Sequence, residues 1–220
     1  MTDVAPDPAA TPPSSAKLVN LPNALTVLRL AVVPVLAVLL LQDDGLRDAD
    51  RYWATLVFVL AIITDRYDGM IARRTGQVTE FGKLADPIAD KALTGTALIG
   101  LSVMHLLPWW VTLVILAREV GVTLLRFWVI RHGVIAASRG GKAKTVAQSV
   151  AIGLYILPLT GVLATCRWWV MAAALLLTVF TGLDYVYRAL TLRRTSARAM
   201  RAAAARRAAG PSGARTDTAV

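Results

Sequence analysis

Apolar stretches long enough to cross a bilayer, which takes about 20 helical residues, recur six times in this chain. They fall at roughly residues 24–42, 52–70, 84–105, 109–131, 144–165 and 168–190. A lipid interior offers the backbone no hydrogen-bond partners, so segments of this kind are confined to helices. The expected fold is all-α and integral to a membrane, with six spanning helices. A mean hydropathy of +0.56 and a hydrophobic content of 56% exclude an ordinary soluble domain. Outside the spans lie only a Pro/Ala/Ser-rich leader over 1–19 and a basic tail over 191–220, leaving one helical membrane domain over 20–190.

Charge orients the spans, because cytoplasmic loops carry the excess of Lys and Arg. Segment 42–51 holds four Asp against two Arg and reads as external. Segments 71–83 (Arg73, Arg74, Lys83) and 131–144 (Arg131, Arg139, Lys142, Lys144) read as internal, as does the tail with Arg193, Arg194, Arg198, Arg201, Arg206, Arg207 and Arg215. Six spans alternate on this pattern and leave both termini cytoplasmic. Trp53, Trp109, Trp110, Trp168 and Trp169 fall at the outer ends, where the membrane interface favours tryptophan. The leader lacks the basic start of a secretory signal and reads as a disordered cytoplasmic segment. The net charge of +10 sits largely in the tail and inner loops. Anionic lipid headgroups account for that better than nucleic acid. Cys166, the single cysteine, has no disulfide or zinc partner and reads as an apolar filler.

Against this apolar background, four aspartates crowd into positions 65–90: Asp65, Asp68, Asp86 and Asp90. Asp65 and Asp68 are spaced i, i+3 at the inner end of the second span, and Asp86 and Asp90 i, i+4 at the inner start of the third. Each pair therefore shares a helix face. A connection of about a dozen residues lets the two helices run side by side, so their carboxylates can converge. An unpartnered Asp deep in a membrane costs roughly 2.5–3.5 kcal/mol on insertion scales. Divalent cations would offset that cost, and hard oxygen ligands suit Mg²⁺ or Mn²⁺. Two such ions about 4 Å apart are a common device for displacement at phosphorus. Gly69 and Ala72 leave room for a flat base or a diphosphate to approach the backbone, and Arg73 offers a fork of donors to phosphate oxygens. The plainer alternative is that these acids cap helices and pair with Arg66, Arg73, Arg74 and Lys83. Asp86-Pro87 does have the form of a helix start.

The pattern D-x2-D-G-x2-A-R-x8-G-x3-D-x3-D, spanning Asp65 to Asp90, resembles the signature of the CDP-alcohol phosphatidyltransferases at all eight fixed positions. The resemblance implies a six-helix membrane enzyme, commonly a homodimer, with a two-metal site facing the cytoplasm. Such an enzyme transfers a phosphatidyl group from CDP-diacylglycerol to an alcohol and releases CMP. Carried over by position, Asp65, Asp68 and Asp86 correspond to metal ligands, and Asp90 to both a ligand and the general base. Gly69, Arg73 and Thr79 correspond to contacts with cytidine and diphosphate. Pro22-Asn23-Ala24-Leu25-Thr26 is similar to an upstream nucleotide-contacting segment, implicating Asn23 and Thr26, which serve equally well as helix-start residues.

For the acceptor, Leu21 to Arg29, Leu84 to Lys91, Arg118-Glu119 and Gly141 to Gln148 resemble the phosphatidylglycerophosphate synthase branch, which uses glycerol 3-phosphate. An arginine about nine residues into the fourth span, Arg118, needs an anion or an acid partner. Glu119, adjacent in sequence, is expected to point elsewhere, which leaves Asp184 as the structural alternative. Lys142 and Lys144 stand where a Gly-containing loop enters the fifth span, and a helix N-terminus already favours anions. With Arg118 they are expected to hold the acceptor's phosphate, the alternative being simple anchoring at the inner face. Arg139 to Thr145 lacks P-loop spacing, and His105 and His132 read as interface residues. Two rival readings are a synthase with another acceptor, such as phosphatidylglycerol (giving cardiolipin) or an inositol phosphate, and a small carrier with an intramembrane acidic site. Carriers bind near the midplane on broken helices, whereas these acids lie at span ends.

Overall fold

In the computed structural model, residues 21–42, 47–75, 79–129 and 139–208 are described, and they form six helices in chain order. These are α1 (Leu21–Leu41), α2 (Asp48–Thr75), α3 (Glu80–Val103), α4 (Trp109–Val129), α5 (Arg139–Ile156) and α6 (Gly161–Ala208). The leader, His132 and the last twelve positions of the tail lie outside the described residues. By length and apolarity, Asn23–Leu41 of α1 and Gly161–Leu192 of α6 are candidate membrane spans.

The helices fall into two compact units. The first contains α1, α2, α3, residues 109–112 of α4, 149–156 of α5 and 161–167 of α6. Within it, α1 packs against both α2 and α3. The stripe of α3 that does so is built of small residues: Gly82, Ala85, Ala89, Ala97 and Gly100 are all buried at three- to eight-residue steps. At Gly100 a Cβ would stand 3.0 Å from Leu40 Cδ1, so the glycine sets how closely α1 and α3 approach. Leu36, Leu40, Phe58, Leu93, Leu98 and Leu101 fill the space between.

Both ends of α3 are defined by local chemistry. Thr79 is the N-cap, its hydroxyl accepting from the Gly82 N–H at 3.0 Å. At the other end His105 takes a left-handed φ of 56°. Its N–H bonds the Ser102 carbonyl at 3.1 Å, and the Leu106 N–H bonds that of Leu101 at 3.0 Å. That pair is the Schellman arrangement, satisfying carbonyls the helix leaves over.

The expected fifth and sixth spans are displaced. Residues 144–165 were expected as one helix, but α5 stops at Ile156 and α6 starts at Gly161. Pro158 has no N–H and pushes the residue before it out of the helical region; hydropathy alone runs through it unmarked. Gly161, at φ +61°, reopens the chain into α6, which continues unbroken into the basic tail as far as Ala208. The carbonyls freed at the end of α5 are taken by Arg51 of α2. Its Nε donates to Ile156 O, and its Nη2 to Tyr155 O and Leu157 O, each at 3.0 Å. Arg167 lies over the Tyr155 ring at 4.9 Å.

In the second unit, residues 113–129 of α4, 139–148 of α5 and 168–208 of α6 come together. Met171, Ala174, Thr178, Thr181 and Ala189 line the buried side of α6, again at three- to eight-residue steps. Cys166 is exposed on the same helix and fills no core position.

Because Arg51 satisfies three carbonyls at the break, Arg51→Met should lower the unfolding free energy by roughly 2 kcal/mol, the scale of hydrogen bonds to a charged group. Denaturant titration of the purified protein in detergent, followed by circular dichroism, measures the change.

Candidate active site

Helix α1 carries three buried polar residues at successive three-residue steps, Asn23, Thr26 and Arg29. That spacing places them on one face. Burying polar groups in so apolar a helix is unfavourable unless each finds a partner, and each does. Asn23 Oδ1 accepts from the Thr79 hydroxyl at 2.7 Å. The Thr26 hydroxyl donates to Asp86 Oδ1. Arg29 Nη1 forms an ion pair with Asp65 Oδ1 at 2.7 Å. One face of α1 is thus bonded to the later turns of α2 and to the first turns of α3.

Gly82, a fixed position of the acidic motif, has its reason in this contact. A Cβ there would stand 3.0 Å from Asn23 Oδ1 and 3.2 Å from Thr79 Oγ1. Glycine lets the N-cap of α3 and the start of α1 meet.

Of the four acids expected to converge, Asp65 is held by Arg29, and Asp86 and Asp90 occupy successive turns of α3, both partly exposed. The backbones of Asp68, Gly69 and Arg73 belong to α2, and their side chains fall outside the described residues. Among the described residues, no three acidic, histidine or cysteine side chains stand close enough to form a metal-binding group, and the expected set includes Asp68. The donor chemistry of the acids present fits a hard divalent cation. Arg29 is buried, whereas the Asp65 side chain is 43% exposed, so the carboxylate is tethered from its buried side and still meets its surroundings.

Asn23, Thr26 and Thr79, expected against the nucleotide, are all buried and bonded within the protein.

The second unit holds Arg118, Lys142 and Lys144. Arg118 Nε donates to Thr178 O at 3.2 Å, and its Nη2 to Thr181 Oγ1 at 3.0 Å. Gly182 makes room for it, since a Cβ there would stand 3.0 Å from Arg118 Cγ. Contrary to expectation, Glu119 is its partner: Arg118 Nη1 lies 3.1 Å from Glu119 Oε1. Neighbouring Cα–Cβ bonds diverge on a helix, but two long side chains reach back towards each other. The same oxygen pairs with Lys144 of α5. Asp184 is not the partner; it takes Arg188, one turn along α6, at 2.9 Å. Lys144 is only 4% exposed, whereas Lys142 is exposed. Residues two apart on a helix do not share a face, so these lysines do not act as a pair. Arg118, Glu119 and Lys144 together carry a formal charge of +1. Arg29, Glu119, Thr181 and Gly182 were not singled out as site residues on sequence, although the small-residue stripe of α6 marks where Arg118 could lie.

The chain belongs to the CDP-alcohol phosphatidyltransferase family, whose model matches residues 19–180 and so includes both groups of residues. It is 58% identical over 175 residues to a probable phosphatidylglycerophosphate synthase of Mycobacterium tuberculosis (strain CDC 1551 / Oshkosh), covering 80% of this chain and 84% of that protein. It is also 37% identical over 194 residues to the CDP-diacylglycerol–glycerol-3-phosphate 3-phosphatidyltransferase of Bacillus subtilis (strain 168), covering 80% of this chain and 98% of that one. A Rickettsia typhi protein of the same name is 39% identical over 174 residues, covering 76% and 94%.

Glu119→Ala takes away the carboxylate shared by two cations, one of them buried. The variant should lose about 3 kcal/mol of stability, the scale for breaking a buried ion pair on one side. Glu119→Gln, which keeps an acceptor, should lose less. Thermal unfolding of the two variants beside the parent, in one detergent, measures the difference.

Proposed function

We propose that this chain is a membrane enzyme that transfers the phosphatidyl group of CDP-diacylglycerol to glycerol 3-phosphate, giving phosphatidylglycerol phosphate and CMP. The observation that carries the reading is the attachment of Asp65 and Asp86, from two helices of the family motif, to one face of α1. The acceptor follows from the names of the relatives and from the cationic pair Arg118 and Lys144.

Asp90 takes the proton of the acceptor's hydroxyl as that oxygen attacks the phosphorus bearing diacylglycerol. The bond from that phosphorus to the oxygen of CMP breaks, and CMP leaves with the electron pair. Asp65, Asp68, Asp86 and Asp90 would hold two divalent cations, Mg²⁺ or Mn²⁺, which when bound supply charge neutralisation for the diphosphate and the leaving CMP. Gly69 and Arg73 contact the cytidine and diphosphate. Asn23, Thr26 and Thr79 serve that contact through the positions they give α1 and α3. Arg118 and Lys144 bind the acceptor's phosphate by charge-assisted hydrogen bonds, with Lys142 contributing attraction from the surface.

The same reading makes all six helices membrane spans, with both termini and the acids on the cytoplasmic side. Residues 1–19 form a leader, 20–190 the catalytic domain and 191–220 a tail that meets anionic headgroups; the protein works as a homodimer. Large apolar side chains exposed along the helices, among them Val38, Leu60, Leu124, Leu163, Leu176 and Phe180, support immersion in lipid.

Purified protein should release CMP only when CDP-diacylglycerol, glycerol 3-phosphate and a divalent cation are all present, and chelation should stop it. Thin-layer separation of the lipid product identifies the acceptor; product from phosphatidylglycerol or an inositol phosphate, and none from glycerol 3-phosphate, would refute the assignment. Asp90→Asn should lower kcat by about 10²–10⁴-fold while CDP-diacylglycerol binding persists. Arg118→Ala should raise KM for glycerol 3-phosphate more than it lowers kcat.

A further inference from the structure

The polar face of α1 contacts the acids of two other helices, and neither contact belongs to the motif that defines them. Arg29 is 2% exposed, and its guanidinium reaches Asp65 of α2 at 2.7 Å. Thr26, 1% exposed and one turn earlier on the same face, donates to Asp86 of α3. Each contact engages the Oδ1 of its carboxylate. Asp65 stays 43% exposed and Asp86 partly exposed, while the α1 residues behind them are closed off. A polar or charged partner on the buried side of a carboxylate restrains its rotation while its other side still meets the surroundings. Groups standing behind metal-binding side chains in this way orient them, and their loss typically costs 10–100-fold in metal affinity.

We infer that Arg29 and Thr26 are positioning residues for the divalent-cation site, α1 serving as a common backing that aligns a carboxylate of α2 with one of α3. This rests on the proposed role of those acids as ligands. The 3.6-residue repeat of α1 puts Thr26 and Arg29 about one turn apart on one face, and so sets the register of the two carboxylates they hold. Asn23, a further step back on the same face, bonds Thr79 at the N-cap of α3 and keeps that helix from sliding along α1. A guanidinium also repels a cation, so the inference makes a directional claim: alignment of Asp65 outweighs that repulsion.

Mn²⁺ binding to the full-length protein in detergent, read from the free-ion electron paramagnetic resonance signal without substrate or turnover, tests it. Arg29→Met and Thr26→Val should each weaken Mn²⁺ binding by about 10–100-fold. Thr26→Ser, which keeps the hydroxyl, should bind as the parent does, and Arg29→Lys should fall between. Circular dichroism establishes that each variant measured is folded; should Arg29→Met fail to fold, the Thr26→Val and Thr26→Ser pair decides. Folded variants that bind Mn²⁺ as tightly as the parent, or more tightly, would overturn the inference while leaving the acids as ligands. A parent protein that binds no Mn²⁺ would overturn both.

Discussion

A buried guanidinium, Arg29, and the carboxylate of Asp65 beyond it set the terms for the rest of this protein. Taking a charge out of water costs several kcal/mol even after relaxation, and α1 is otherwise among the most apolar segments of the chain. The charge is tolerable there because α2 brings Asp65 to it at 2.7 Å. Once that pair is made, the register of α1 against α2 is determined. Thr26 and Asn23, at helical steps on the same face, then determine it against α3. The small residues of α3 follow from the same demand: short polar side chains make these bonds only if the helices lie close, and Gly82 and Gly100 remove what would hold them apart.

A similar economy governs the second cluster. Arg118 and Lys144 are two cations in a largely apolar setting, and a single oxygen of Glu119 faces both. These three side chains together carry a formal charge of +1. The backbone carbonyl of Thr178 and the hydroxyl of Thr181 take two of the Arg118 donors and hold the guanidinium against α6. Its orientation is thereby set by the protein itself.

Polar contacts at the helix ends finish what the apolar faces begin. Thr79 and His105 close the two ends of α3, and Arg51 closes the end of α5, reaching it from α2 across more than a hundred residues. Without these, carbonyls and N–H groups at the helix ends would lack partners, a penalty no apolar packing removes.

How many helices form, and on which two the acids stand, could be read from the chain alone. Hydropathy and the 3.6-residue repeat are local properties, and the spacing of Asp65, Asp68, Asp86 and Asp90 is local too. The break at 157–160 was also written there, in Pro158 and Gly161, but an apolar average passes over it. What stood behind the acids was not legible. Arg29 and Asp65 lie 36 positions apart, and Thr26 and Asp86 are 60 apart, so nothing in either neighbourhood names the other. Glu119 meets Arg118 through the reach of two long side chains, which the direction of the backbone does not reveal. Sequence determines which residues a helix can present on each face; which of them meet depends on the packing of helices, because a hydrogen bond is made over about 3 Å of space and takes no account of distance along the chain.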